Sequence, residues 1–290
     1  MINLVLSKIF VVIVVYKQDL KSCISLNTLN NALLNVSDTK LDVMIYDNSP
    51  YSQDHTQLNL SSNMLLHYIH DYINPGVSKA YNTAAIFSKK LNKEWLLILD
   101  HDTNLPSDSL NVYANAIINN KEISLFSPIL MRNNLIISPA KFKHFRGYTH
   151  TFLLSGICNF TSYKPINSGM LINLLLFEKV GGYNENFKLD YSDFDFISRV
   201  ENYIQKYYII DLQIQHQLSG FNFDNIQNSI ERHIQFCASS KNISTSFFEW
   251  FILAFTVLKR SINLSYTFKN ICFIRIYLNQ FMFNNNENSN

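Results

Sequence analysis

The chain carries little charge. Lysine, arginine, aspartate and glutamate make up 16% of its 290 residues, well below the quarter usual for a globular domain. The net charge is +2, so no global field draws it to nucleic acid. Cysteines are few. Cys23, Cys158, Cys237 and Cys272 stand far apart with no CxxC pair, which excludes a zinc ribbon or a dense disulfide framework. Free thiols in a reducing compartment are the expectation. No run of about twenty apolar residues is present, so no spanning helix is expected. Lys8 before the apolar run Ile9 to Tyr16 resembles the start of a signal peptide. No small-residue cleavage site follows, and Tyr16-Lys17-Gln18-Asp19 is polar, so the run reads as a first core strand. No G-x-G-x-x-G follows it, which disfavours a dehydrogenase. No internal repeat is found.

What is abundant is apolar surface. Hydrophobic residues are 47% of the chain, enough for the core of one large domain or a domain with an appendage. Strand and helix signals alternate through the first half. Phe10 to Tyr16, Leu41 to Tyr46, Leu65 to Ile69 and Trp95 to Leu99 read as strands. Leu26, Leu29, Leu33 and Val36 recur at helical spacing. Ser78 to Leu91 reads as a helix capped by Ser78 after the turn Asn74-Pro75-Gly76. Pro106-Ser107-Asp108 opens a helix over Ser109 to Asn119, and Ser124 to Ser127 follows as a strand. Residues 131 to 167 lack periodicity and read as a loop or small irregular sheet. Ser168 to Ile172 is a strand, Leu174 to Val180 a short helix ended by Gly181-Gly182. Ser192 to Gln205 is a helix, and Tyr207 to Ile214 a strand leading to His216. Strands alternating with helices predict a parallel, right-handed sheet, α/β in class. In such a sheet Tyr16, Asp47 and Asp100-His101-Asp102 share the carboxyl edge, where ligands bind.

The chemistry concentrates at Trp95-Leu96-Leu97-Ile98-Leu99-Asp100-His101-Asp102-Thr103. A buried strand ends in two carboxylates one residue apart. That spacing suits a hard divalent cation, Mg²⁺ or Mn²⁺, which in turn holds a diphosphate. Taken alone, Asp100 and Asp102 equally suit a turn and helix cap. Asp190, Asp193 and Asp195 equally suit a helix N-terminus favoured by the macrodipole. His216 equally suits a satisfied lone histidine, and Asp47-Asn48-Ser49 a plain turn.

Four ordered blocks resemble a known family. They are Val14-Val15-Tyr16, Ile45-Tyr46-Asp47-Asn48-Ser49, Asp100-His101-Asp102-Thr103, and Gly181-Gly182-Tyr183-Asn184-Glu185 with Leu189-Asp190-Tyr191-Ser192-Asp193-Phe194-Asp195. Together they resemble family 2 inverting glycosyltransferases of GT-A fold, most of all bacterial rhamnosyltransferases that build O-antigen and other surface polysaccharide. The resemblance spans roughly residues 8 to 220. It implies a Rossmann-like, mostly parallel sheet flanked by helices, and a nucleotide-sugar donor. It implies that Asp47 accepts a hydrogen bond from the pyrimidine, with Tyr16 lining the same pocket. It implies that Asn74-Pro75-Gly76 and Asn82 lie near the donor. Asp102 and His216 would hold Mg²⁺ or Mn²⁺, with Asp100 on ribose, sugar or metal, and Asp193 would be the catalytic base. The implied activity is transfer of rhamnose from a dTDP donor to a growing, lipid-linked glycan at the cytoplasmic face of the cell membrane. A UDP-hexose or UDP-N-acetylhexosamine donor, and a non-catalytic nucleotide-sugar-binding module, stay open as alternatives.

The tail stands outside the resemblance. From Lys241 onward five basic residues face two acidic ones. Phe247 to Phe255 is too apolar all round for a surface helix and too short to span a bilayer. Its aromatics, bordered by Lys259-Arg260, Lys269 and Arg275, suit a helix lying at a membrane interface; packing on the core or a dimer contact is the competing reading. The expected division is a glycosyltransferase domain over 1–225, a helical, membrane-associating region over 226–283 and a disordered tail over 284–290.

Overall fold

The computed structural model describes residues 1–36, 38–216, 225–244 and 246–283. The expected tail over 284–290 lies outside them. Four parallel strands open the fold: β1 (Ile9–Val15), β2 (Leu41–Asp47), β3 (Met64–His70) and β4 (Trp95–Asp100), in the order β3-β2-β1-β4. Every residue of β1 and β2 is buried, as expected of a parallel sheet covered on both faces. The alternation of β1 feeds two cores. Ile9, Val11, Ile13 and Val15 point to one, and Phe10, Val12 and Val14 to the other. The first core is covered by α1 (Ile2–Leu6), α2 (Ile24–Leu34) and α4 (Ser109–Asn119); the second by α3 (Val77–Lys90), α5 (Leu174–Val180) and α6 (Ser192–Val200).

The second half of the sheet is mixed. β10 (Leu171–Asn173) runs antiparallel between β4 and β6 (Leu125–Arg132). β11 (Lys206–His216) then runs parallel to β6. At its far end it pairs antiparallel with β5 (Thr103–Asn104), and at its start with β9 (Gly156–Asn159). β7 (Leu135–Lys143) and β8 (Arg146–His150) form a hairpin on β6. Of the two readings of residues 131–167, loop or small irregular sheet, the structure has the irregular sheet. Its period-2 signal is hidden because β7 and β8 carry bulged registers and exposed faces.

Three expectations shift. α1 was not anticipated; it buries Leu6 against the first core. Ser78 does not cap α3. Gly76 stands at the cap, and Ser78 lies inside the first turn, where its hydroxyl donates to the Phe187 carbonyl at 2.5 Å. α6 stops at Val200, short of Gln205, in a turn through Tyr203 whose N–H donates to the Val200 carbonyl. The four cysteines are free thiols, as expected. After β11, α7 (Ile226–Ile243), α8 (Phe247–Phe268) and α9 (Cys272–Ile276), continued by a π-helical turn over Tyr277–Met282, build a third core around Phe187, Phe236, Leu253 and Phe281.

Gly76 shows why the Asn-Pro-Gly turn is built as it is. Its φ is +98°, and a Cβ there would lie 2.3 Å from the Lys188 carbonyl oxygen. The same oxygen accepts from the Val77 N–H at 2.7 Å. The turn thus clamps the start of α3 to the segment that leads into α6. Gly76→Ala combines a disfavoured backbone with a backbone clash and should cost about 2 kcal/mol or more. Urea unfolding checks it; a loss under about 0.5 kcal/mol, the scale of a neutral surface change, would contradict the clamp.

Candidate active site

The strand β4 leaves the core at Asp100, and the chain must turn at once. Ser25, fully buried at the start of α2, holds that turn. Its hydroxyl donates to the carbonyl oxygens of Asp100 and Thr103 and accepts from the Thr103 N–H at 2.9 Å. Its own N–H donates to the His101 carbonyl. The turn then enters β5, whose Thr103 pairs with His216 of β11. That pairing carries His216, far away in sequence, to the two carboxylates.

Asp100, Asp102 and His216 offer ligand atoms that all lie within 4.8 Å of one another. His216 Nδ1 is 3.4 Å from Asp102 Oδ1, and Nε2 is 3.9 Å from Asp100 Oδ2. Asp102 and His216 are buried, while Asp100 keeps part of its carboxylate in solvent. His216 Nδ1 has no hydrogen-bond partner among the described residues. Burial pushes the imidazole pKa below its ordinary value despite the charge of Asp100, which favours the neutral form that ligates a metal. Burial, reinforced by the charge of Asp100, pushes Asp102 up to about 7. Two carboxylates and a neutral imidazole in a low-dielectric pocket form a hard donor set lacking a countercharge. That set fits a divalent cation such as Mg²⁺ or Mn²⁺.

The acids at the start of α6 divide their work. Asp190 accepts from Arg232 of α7 at 2.9 Å. Asp195 accepts from both Nε and Nη2 of Arg199, at 3.0 and 2.7 Å, and Arg199 also donates to the carbonyls of Val180 and Gly182. These two acids are held in ion pairs with arginines, Asp190 just before α6 and Asp195 in its first turn. Asp193 forms no ion pair among the described residues; its carboxylate accepts from the adjacent Phe194 N–H at 2.8 Å. Burial pushes its pKa to about 6 against that hydrogen bond, with the charges of Asp100 and Asp190 adding to the rise.

Two buried tyrosines, Tyr81 and Tyr183, feel the charges of both Asp100 and Asp193. Tyr81 of α3 is fully buried and donates to Asp100 Oδ1 at 3.3 Å. Its ring centroid is 4.9 Å from that of Tyr183, which stacks on Phe196 at 4.0 Å. Tyr183 donates to Asn167, whose amide reaches the Ser192 hydroxyl beside Asp193. Tyr81, Asn167 and Ser25 were not singled out in the sequence. Only Tyr81 had a readable signal, an aromatic on the buried face of the helix after the Asn-Pro-Gly turn.

Of the remaining predicted residues, Tyr16 and Asp47 sit at the same sheet edge and Asn82 lies within α3. Tyr16 follows β1, is 39% exposed and carries the Lys17 ammonium 5.0 Å over its ring. It adjoins the Asp47 turn, because Asn48 donates to the Val15 carbonyl and Lys17 N–H to the Ser49 hydroxyl. Asp47 is fully buried, and both its oxygens are engaged: by the Ser49 N–H, the Gln53 amide and the Tyr68 hydroxyl. Asn82 is equally committed. It accepts from the Tyr183 N–H at 2.8 Å and donates to the Tyr183 carbonyl and to Glu185. It braces the Gly182-Tyr183 turn, where a Cβ on Gly182 would lie 2.6 Å from the Asn82 oxygen.

No family model matches this sequence, and no curated protein does. Solved structures match by fold. TarS from S. aureus superposes with a TM-score of 0.50 at 16% identity, over 85% of this chain and 42% of that one. The chain therefore spans less than half of that protein's length. TarS 1-349 solved with UDP superposes at 0.50 and 15% identity, over 85% of this chain and 70% of that one. The same fragment with UDP-GlcNAc gives 0.50 and 15%, over 90% and 73%. At these identities the likeness establishes architecture: a mixed α/β sheet flanked by helices, the GT-A fold of glycosyltransferases.

Proposed function

We propose that the chain is a metal-dependent inverting glycosyltransferase, moving a sugar from a nucleoside-diphosphate donor to a glycan hydroxyl. One observation carries the reading. The Asp100, Asp102 and His216 cluster lies near enough to Asp193 for the charge of Asp100 to raise its pKa, and Asp193 is the one acid among Asp190, Asp193 and Asp195 with no ion pair among the described residues. Asp102 and His216 would hold the divalent ion, and Asp100, tied to Tyr81, would serve ribose, sugar or the same ion. When bound, the cation offsets the charge that builds on the departing diphosphate.

The protein's own groups do the rest. Asp193 removes the proton from the acceptor hydroxyl as the new bond forms, from a segment opposite the diphosphate side, as inversion requires. Its raised pKa makes it a better base than an exposed carboxylate while leaving it ionised at neutral pH. Tyr16 is the exposed platform for the nucleotide's pyrimidine ring, and Asp47 shapes that pocket by holding its turn.

The sequence blocks favour rhamnose on dTDP as donor. A UDP-N-acetylhexosamine is the second reading, favoured by the fold neighbour solved with UDP-GlcNAc. The acceptor in either case is a lipid-linked or growing glycan at the cytoplasmic face of the membrane, a reading supported by the resemblance and by the aromatic, basic tail.

Three measurements test this. Asp193→Asn should lower kcat by about 10²- to 10⁴-fold with nucleotide-sugar binding unchanged; full turnover would remove Asp193 as base. In the parent protein, kcat/KM should fall about tenfold per pH unit below about 6, as Asp193 takes up its proton. A flat profile down to pH 5 would contradict that assignment. In a thermal-shift panel of nucleotide sugars, one donor should stabilise the chain with Mn²⁺ present, by about 2.7 kcal/mol at a hundredfold excess over Kd. Asp102→Ala should abolish the dependence on metal. Stabilisation by dTDP-rhamnose or by UDP-GlcNAc chooses between the donors, and no response to any would overturn the transferase reading.

A further inference from the structure

α8 is 22 residues long and two-faced. Leu253, Ala254, Val257, Ser261 and Leu264 are buried against the protein. On the opposite side Phe248, Phe251, Phe255, Lys259, Ile262 and Tyr266 recur at three- and four-residue spacing, which is one straight stripe. The apolar members are 69%, 61%, 66%, 50% and 86% exposed. Single exposed apolar residues are ordinary, but five in a line on one helix are a docking surface.

We propose that this stripe lies flat on an anionic lipid surface. Charge selects the occupant. Lys259 stands in the middle of the stripe and forms no ion pair among the described residues. Lys269 and Arg275 are exposed beyond its far end. The stripe itself contains no carboxylate. A second copy related by a two-fold axis would bring this surface against itself and bury Lys259 with no acid to meet it. Lipid phosphates meet it directly, while Phe248, Phe251, Phe255 and Tyr266 enter the headgroup layer, where aromatic rings are favoured.

Among the described residues no helix is long and apolar enough to cross a membrane, so α8 rests on the surface. The same layer of helices touches the catalytic segment. Arg232 of α7 holds Asp190, Tyr191 packs on Phe236, and Arg260 of α8 stacks over Phe236 at 4.3 Å. Docking through α8 therefore sets the orientation of Asp193 toward the lipid plane. That purpose rests on the proposed lipid-linked acceptor; the docking does not.

Co-sedimentation of the whole chain with vesicles tests it. Phosphatidylcholine vesicles with roughly one-third phosphatidylglycerol should carry down most of the protein. Pure phosphatidylcholine should carry little, and high salt should release it. Phe251→Glu combined with Phe255→Glu should reduce binding at least tenfold, and Lys259→Glu several-fold, with melting temperature unchanged because all three side chains are outside the core. Equal sedimentation of parent and variants would overturn the proposal, as would absence of binding to either vesicle. So would a dimer in light scattering that the paired variant dissociates. Turnover on a short water-soluble glycan separates the two readings: the paired variant should retain it, while Asp193→Asn should lose it yet still bind vesicles.

Discussion

Everything at the candidate site depends on one electrostatic constraint. Asp100 and Asp102 are forced together at the end of β4, and among the described residues no lysine or arginine pairs with them; beside them stands His216, whose pKa burial holds below its ordinary value. The Ser25 clamp prevents the turn from opening to relieve the repulsion. Asp102 responds by rising to about 7, the behaviour of a carboxylate waiting for a cation. A structural ion pair would have done the opposite. Asp42 in the same sheet shows the contrast: Lys93 and His67 bind it, and despite burial its pKa is held below the usual carboxylate value.

The fold resolves the same question at the start of α6. Three acids at a helix N-terminus are ordinarily a response to the macrodipole. Here Arg232 and Arg199 take Asp190 and Asp195 into ion pairs that tie α6 to α7 and to the Gly181-Gly182 turn. Asp193 is what remains. Its partners are one backbone N–H and, at a distance, the charges of Asp100 and Asp190. A base has to be poorly satisfied in the resting protein, or its proton affinity would be used up before substrate arrives.

The parallel half of the fold was legible because its rules are local. An all-apolar, β-branched run such as Ile9–Val15 has few options other than a central strand, and the residues at strand ends then share an edge by topology. β5 was not legible because it is too short for a period: Thr103–Asn104 is a strand solely by virtue of the β11 it pairs with, while β10 was legible as a strand but not in its antiparallel direction. The convergence of His216 on Asp102 belongs to that pairing and has no local trace. Asp47 and Asn82 show a further limit. Sequence position marks a strand end or a helix position, but whether its polar atoms face a ligand or a neighbouring turn is decided by the side chains of Gln53 and Tyr68 at Asp47 and by the Tyr183 backbone at Asn82. Ser25 was invisible for the same reason, being an ordinary serine near a helix start until the turn it holds is in view.

The helical layer after β11 ties these elements into one mechanical unit. Tyr191 adopts a positive φ of 63°, an unfavourable state for an aromatic residue. It is held there by Phe236 on one side and Phe145 on the other. Phe145 itself stands at positive φ in the tight turn of the β7–β8 hairpin and also packs on Phe194. Two strained aromatics thus flank Asp193, one supported by the α7–α8 layer and the other by the hairpin. Strain of this kind persists only where the surroundings over-determine it. The α7–α8 layer, whose outer face is the stripe on α8, is therefore part of what fixes the position of Asp193. Attachment of that layer to a surface would act on the reacting geometry through packed side chains, without any moving part.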